Sequence, residues 1–384
     1  MLFHRLLLKV LRPALNRVAV FEASRKENRF AIGGKKTALL ILAYNRPQFL
    51  LRTFNQVVKV LSNPANLFYV DIVISQDGAD STVTTLVGII SSRVRSEIPF
   101  CPFLHLKHKP VKLEVDAQYG SIAYHLSWAL STLFGTHNYE QVIVLDDDVL
   151  IAPDFFDYFS ATSYLFNSDP SIYCISAYNE NGQSKFVLDP TLIWRTDYFP
   201  SLGWMIEKKQ WIAWKDLWPT DFWRDWVRSP AARQDRQCVY PEVSRVVTFG
   251  STGVNSQPFY WEFESKIKLN DRFVEFGKRD LAYLMLENYE PMFQSLLNEA
   301  TAIQSLEELV TLPIESTAKL FYTKHPGPRS FYSLATKLGI MSDASLGIPR
   351  TAYKGVVTVY YSGIRIFLVP EGGMSATYKC DLFL

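Results

Sequence analysis

The stretch Gln141-Val142-Ile143-Val144-Leu145-Asp146-Asp147-Asp148 reads as a buried strand that runs into three adjacent carboxylates. The same form recurs upstream. An apolar run over residues 37–43 stops at Tyr44-Asn45-Arg46-Pro47, where Pro47 suits the first turn of a helix, and Phe49, Leu50, Phe54, Val57, Val58 and Leu61 follow at helical spacing. A second strand over 68–75 ends in Gln76-Asp77-Gly78, a helical stretch covers 81–96, a third strand covers 104–107, and 121–134 is helical by period. Strands alternating with helices predict an α/β fold with a mainly parallel sheet, in which ligands bind outside the carboxyl ends of the strands. Arg46, Asp77 and Asp146 to Asp148 all fall at such ends.

Downstream, Pro153-Asp154 opens a helix whose early acidic groups complement its dipole, and 172–176 is another short strand. The Trp-dense stretch 194–226, broken by Pro200, Gly203 and Pro219, predicts irregular elements over a sheet edge. From about 312 a small α+β unit is expected, with a helix over 330–338 and a hairpin over 355–360 and 364–368 turning at Ser362-Gly363. The chain therefore divides into a basic N-terminal segment and linker (1–35), a main domain (36–311) and a C-terminal unit (312–384).

The 384 residues, 48% hydrophobic and 20% charged, describe a globular chain rather than a disordered or coiled-coil one. A net charge of +2 gives no reason to expect a nucleic-acid binder. Cys101, Cys174, Cys238 and Cys380 form no CxxC pair, which argues against structural zinc and a disulfide scaffold. In MLFHRLLLKVLRPALNRVAVF, basic residues interrupt every apolar run short of the ~20 residues of a membrane span. The segment fits a helix lying on an anionic membrane surface, as a peripheral contact, or one packed on the domain. No Asn-x-Ser/Thr acceptor occurs.

Three neighbouring carboxylates repel one another, and a hard cation relieves that repulsion. Mn²⁺ or Mg²⁺ takes one or two carboxylates and completes its shell with phosphate oxygens and water, so the cluster suits a nucleotide diphosphate; a solvated acidic turn is the bland alternative. Arg46 suits a bidentate grip on phosphate, Asp77 could accept from ribose or base, and His125 is either a satisfied helical histidine or a ligand contact. The spacing is not that of an EF-hand. No glycine-rich basic loop follows the first strand, which disfavours a nucleotidyltransferase.

Several ordered motifs carry a resemblance. Val144-Leu145-Asp146-Asp147-Asp148, Ala152-Pro153-Asp154-Phe155-Phe156, the run 173–182 (YCISAYNENG), the run 195–204 (RTDYFPSLGW), Pro241-Glu242-Val243-Ser244-Arg245, Thr248-Phe249-Gly250, Lys266-Ile267-Lys268-Leu269-Asn270 and the run 347–355 (GIPRTAYKG) together resemble the alpha-1,3-mannosyl-glycoprotein 2-beta-N-acetylglucosaminyltransferases, glycosyltransferase family 13. The resemblance covers about 36–370. It implies a GT-A-like, Rossmann-like nucleotide-sugar fold, UDP-N-acetylglucosamine as donor, Mn²⁺, and inverting transfer to the 2-hydroxyl of a mannose on a glycan or glycoprotein. It also implies donor contacts at Arg46, Asp77, His125, Asp147 and Asn255, a metal ligand at Asp148, and a disulfide between Cys174 and Cys238. The implied compartment is an oxidising Golgi lumen, although no anchor is read in this chain; a bacterial source would instead imply a soluble or surface-bound enzyme.

One position departs from the pattern. The family's general base lies in a Trp-Asp-x-Trp segment, and here Phe222-Trp223-Arg224-Asp225-Trp226 places Arg224 at that position. A guanidinium stays protonated and cannot take the acceptor's proton. Three states are open: a base moved to Asp225, an altered donor, acceptor or reaction, or a donor-binding protein that has lost transfer.

Overall fold

The computed structural model describes residues 31–63, 66, 68–110, 118–251, 259–377 and 379–380; the N-terminal basic segment and Asn255 lie outside them. Strands β1 (Thr37–Ala43), β2 (Asp71–Asp77), β3 (Phe103–His108) and β4 (Gln141–Asp146) are parallel neighbours in the order β3-β2-β1-β4. Between them run α1 (Pro47–Leu61), α2 (Ser81–Glu97) and α3 (Gln118–Ser131). Pro47 sits in the first turn of α1, as its fixed φ and missing N–H favour. The Asp80 side chain caps α2 by accepting from the Val83 N–H at 2.8 Å, worth about 1 kcal/mol.

Period-2 alternation sorts the strand residues into two cores. Leu39, Ile41, Ile72, Ile74, Ile143 and Leu145 face α1 and α2, where Leu50, Phe54 and Val57 are fully buried. Each such side chain contributes about 1.5–3 kcal/mol by leaving water. Ala38, Leu40, Val73, Val142 and Val144 face the opposite way, onto α3 and the indoles of Trp204, Trp211, Trp214 and Trp223. The sheet is thus covered on both faces.

The Trp-dense stretch departs from its expectation. It contributes β7 (Ile193–Thr196) and β8 (Trp204–Glu207) to the central sheet, and β8 lies inside it, antiparallel to both β4 and β6 (Ile172–Ser176). Both strands have four residues buried on both faces, so neither shows alternation in sequence. With β9 (Gln237–Pro241) the eight-stranded order is β3-β2-β1-β4-β8-β6-β9-β7, mixed beyond β4. β2 also begins later than expected and runs on through Asp77.

Cys174 on β6 and Cys238 on β9 form a disulfide between adjacent parallel strands, Cα to Cα 4.7 Å. A short antiparallel pair, β5 (Val149–Ile151) and β10 (Val246–Thr248), follows the acidic turn. The helix α4 (Phe155–Thr162) begins after Asp154. That carboxylate makes no cap: fully buried, it pairs with Arg245 at 3.0 Å and accepts from Asn270 at 2.9 Å. The acidic group expected to complement a helix dipole instead fastens the β5–β10 region to the core.

A second sheet, β11 (Thr301–Ile303), β12 (Thr317–Tyr322), β15 (Val357–Tyr361) and β16 (Ile364–Pro370), has the order β11-β12-β16-β15, and β15–β16 is the expected hairpin. The two-residue strands β13 (Ala344–Ser345) and β14 (Ile348–Pro349) pair beside it. Phe367 and Val369 of β16 join the main core while Ile366 and Leu368 face the sheet's own, so the two sheets pack as neighbours.

Candidate active site

Parallel register brings the predicted residues to one edge. Leu42 near the end of β1 pairs with Ser75 on β2 and with Asp146 on β4, so Arg46, Asp77 and the acidic turn lie at the same carboxyl ends. Arg46 lies between two of the three carboxylates: its guanidinium pairs with Asp147, and Nη1 meets Asp148 Oδ2 at 2.9 Å. Burial alone would lower the Arg46 pKa, but Asp148 and Asp147 hold it above its ordinary value. Burial pushes Asp147 up to about 7 against the attraction of Arg46, with Asp148 and Asp146 adding to the rise. Asp148 is likewise raised, by burial and then by Asp146.

The turn is fixed from behind. The Thr53 hydroxyl of α1 donates to the Asp147 carbonyl at 2.7 Å and accepts from the Val149 N–H at 3.0 Å. Gly250 follows β10, and a Cβ there would stand 2.1 Å from Asp148 Oδ2, so only glycine leaves that carboxylate its place. Asp146, the end of β4, faces Arg224 Nη2 at 3.6 Å.

A second group occupies the ends of β2 and β3. Asp77 Oδ1 meets His108 Nδ1 at 2.8 Å, and the His108 ring stacks on His125 from α3 with centroids 5.4 Å apart. Trp128, three residues on from His125, also meets His108, with centroids 4.9 Å apart. His125 Nε2 shares a hydrogen bond of 2.7 Å with the Ser75 hydroxyl. Burial lowers the His125 pKa to about 4, despite the pull of Asp77, so the ring is neutral near pH 7. His108 belongs to no motif in the sequence; the one signal for it is its place at the end of a third parallel strand, on the same edge.

Arg224 and Asp225 part company. Adjacent residues on a helix point about 100° apart, and on α5 (Trp223–Arg228) Arg224 turns to the acidic cluster while Asp225 turns to Arg228 at 3.3 Å and to Ser345 at 3.4 Å. Asp225 is 57% exposed. Behind it, Arg228 reaches the buried Glu180 at 3.7 Å, Glu180 binds Arg350 at 2.9 Å, and Arg350 binds Asp343 at 2.7 Å. This alternating series ties the Asp225 turn to the residues flanking the β13–β14 pair, and spacing in sequence gives no sign of it. Glu264 is a further carboxylate near the cluster; burial, then Glu180, pushes it up to about 7.

Among the described residues, no three His, Cys, Asp or Glu side chains gather to hold a metal ion. No helix among them is long and apolar enough to cross a membrane.

A mixed α/β sheet with an acidic turn at the end of β4 and an arginine at the end of β1 agrees with the GT-A-like glycosyltransferase fold that the resemblance implies. The chain belongs to the GNT-I family, whose pattern it matches over residues 11–381. It is 36% identical over 336 residues to the alpha-1,3-mannosyl-glycoprotein 2-beta-N-acetylglucosaminyltransferase of Arabidopsis thaliana, covering 86% of this chain and 73% of that one. Among solved structures, a mannosyltransferase from Pyrobaculum calidifontis in complex with GDP-Man and Mn²⁺ aligns with a TM-score of 0.32 and 14% identity, over 49% of this chain and 48% of its own. Glucosyl-3-phosphoglycerate synthase from Mycobacterium tuberculosis, in complex with Mn²⁺, UDP and phosphoglyceric acid, aligns with a TM-score of 0.27 and 12% identity, over 46% and 57%. Structural likenesses this distant say nothing of donor or acceptor.

Proposed function

We propose that this chain transfers N-acetylglucosamine from UDP-N-acetylglucosamine to the 2-hydroxyl of a mannose on a glycan or glycoprotein, with inversion at the anomeric carbon. The observation that carries the reading is Arg46 held against Asp147 and Asp148 at the carboxyl edge of the sheet. Family membership supports the donor and acceptor classes.

The residues present fit a divalent cation. Asp148 offers hard oxygen beside a glycine that leaves it room, and the three carboxylates of this turn face only two guanidiniums in the ion pairs formed here, Arg46 and Arg224. Asp148 would hold Mn²⁺ or Mg²⁺, which when bound supplies Lewis-acid stabilisation of the departing diphosphate. Arg46, held by Asp147 and Asp148, lies where its positive charge offsets that of the diphosphate as UDP leaves. Asp77, with His108 behind it, and neutral His125 hold the uridine, with Asp147 and Asn255 as further donor contacts. Asp225 takes the proton of the attacking hydroxyl. The Cys174–Cys238 bridge supports an oxidising compartment such as the Golgi lumen. The proposed division into a main unit (36–311) and a C-terminal unit (312–384) has β11 pairing with β12 across it.

Titration of UDP-N-acetylglucosamine with and without Mn²⁺ tests the donor. Metal-dependent binding is expected, and its absence with every UDP-sugar would overturn the assignment. Asp148→Asn should abolish the metal-dependent part; unchanged dependence removes Asp148 as the ligand. A second reading, a binding protein without transfer, is favoured by Arg224 against Asp146. It requires donor binding with neither transfer nor hydrolysis.

A further inference from the structure

Phe222 combines two features that work against stability. Its backbone is left-handed, with φ +38° and ψ +41°, an outlier for a bulky side chain, and its ring is 53% exposed. Trp211, Trp214 and Trp223 close by in sequence are all buried. Nor is the ring isolated: it stacks on Tyr119 with centroids 4.8 Å apart and planes 26° from parallel. Glycine would relieve the backbone and remove the exposed ring together.

The turn that holds Phe222 also sets its neighbours. The Phe222 carbonyl accepts from the Asp225 N–H at 3.0 Å, so Phe222 is the residue that opens the helix carrying Asp225. Asp225 is an exposed carboxylate to which the Ser345 hydroxyl of β13 donates at 3.4 Å. Arg224, between them in sequence, reaches Asp146 on the acidic edge. This turn therefore carries an aromatic face and a carboxylate beside the acidic edge, and β13 brings the Ser345 hydroxyl to that carboxylate.

A pyranose ring presents a face of C–H groups with hydroxyls around its rim. That shape needs an apolar plate beneath and hydrogen-bond acceptors beside it. The carboxylate of Asp225 would repel a diphosphate, whereas a neutral sugar meets no such opposition. We propose that the Phe222–Tyr119 stack is the platform for the acceptor sugar, with a hexose ring lying on Phe222 and its hydroxyls bonded to Asp225 and Ser345. The proposal rests on the reading of the chain as a glycosyltransferase and assigns its acceptor subsite. It explains why a base at Asp225 faces away from the acidic cluster: the acceptor enters from the Ser345 side.

The test compares wild type, Phe222→Gly, Phe222→Tyr and, as an exposed aromatic elsewhere, Tyr332→Ala. Mannotriose affinity is measured by NMR titration with UDP and Mn²⁺ present, alongside UDP affinity and Tm. Phe222→Gly should weaken mannotriose binding about fivefold or more, with UDP affinity unchanged and Tm equal or higher. Phe222→Tyr should restore the glycan affinity, and Tyr332→Ala should match wild type. Unchanged mannotriose affinity in Phe222→Gly, or an equal loss of UDP affinity, overturns the proposal. If wild type binds UDP with metal but no mannotriose, the subsite fails and the donor assignment stands; if it binds neither, the functional reading fails with it.

Discussion

Asp225→Asn separates chemistry from folding at the proposed proton acceptor. The substitution keeps the size of the side chain and its ability to accept from Ser345, and removes its charge and basicity. In the folded protein Asp225 is 57% exposed, and its pair with Arg228 spans 3.3 Å at an i,i+3 spacing. Such a pair contributes about 0.2–1 kcal/mol, so Tm should fall by no more than about 4 °C. Loss of a general base lowers turnover about 10²–10⁴-fold, a barrier increase of about 2.7–5.4 kcal/mol at 1.36 kcal/mol per decade. The catalytic effect thus exceeds the structural one several times over. UDP release with a mannose oligosaccharide as acceptor measures turnover, and calorimetric titration of UDP-N-acetylglucosamine with Mn²⁺ should show unchanged donor affinity. Turnover within about threefold of wild type would refute the reasoning. Glu264, half-buried and raised to about 7 by burial and then by Glu180, is the carboxylate to remove next, as Glu264→Gln.

Three further outcomes concern the frame that holds the site. His125, held neutral by burial with its pKa lowered from 6.5 to about 4, binds a proton more readily in the unfolded chain; its contribution of about 3 kcal/mol is intact above pH 6.5 and is lost as pH falls toward 4. Denaturant midpoints from pH 7 to pH 4 should fall less steeply in His125→Gln than in wild type, and parallel slopes would remove His125 as a source of acid sensitivity. Cys174→Ala with Cys238→Ala opens a loop of 64 residues and should cost about 4 kcal/mol on the chain-entropy estimate, read as a lower Tm equal to that of reduced wild type. Asp154→Ala leaves the Arg245 guanidinium buried with no carboxylate at 3.0 Å and should cost about 3–5 kcal/mol; a urea midpoint shifted by less than about 1 kcal/mol would show that Val243 and Pro190 carbonyls suffice for it.

The parts of this fold that could be read in the sequence are those where local pattern and tertiary environment agree. β1 and β4 are continuous apolar runs that stop at polar residues, and the residues after them can only lie at the carboxyl edge. β7 and β8 could not be read so, because four residues buried on both faces carry no period. The insertion of β8 between β4 and β6 is a matter of pairing across distant parts of the chain. The site divides in the same way. Asp146 to Asp148 announce themselves by mutual repulsion. His108 sits in Lys107-His108-Lys109, which reads as a solvated basic turn until the β2–β3 register sets it opposite Asp77. Asp154 shows local chemistry overridden: its position suggests a helix dipole, and its side chain serves Arg245.

Arg224 gains a physical sense from the charges around it. Three carboxylates share Arg46 and Arg224, so with all three ionised these ion pairs leave the cluster one positive charge short. Arg224 supplies its part of the positive charge at Asp146. An arginine here therefore adds positive charge to the acidic edge. Because consecutive residues of the turn diverge by about 100°, the base duty can pass to Asp225 only if the acceptor approaches over Phe222 and Ser345. The base at Asp225 and the acceptor platform at Phe222 thus stand or fall in series. A mannose sugar bound on the Arg224 side would exclude Asp225 from the reaction, whatever the affinity of the site for its donor.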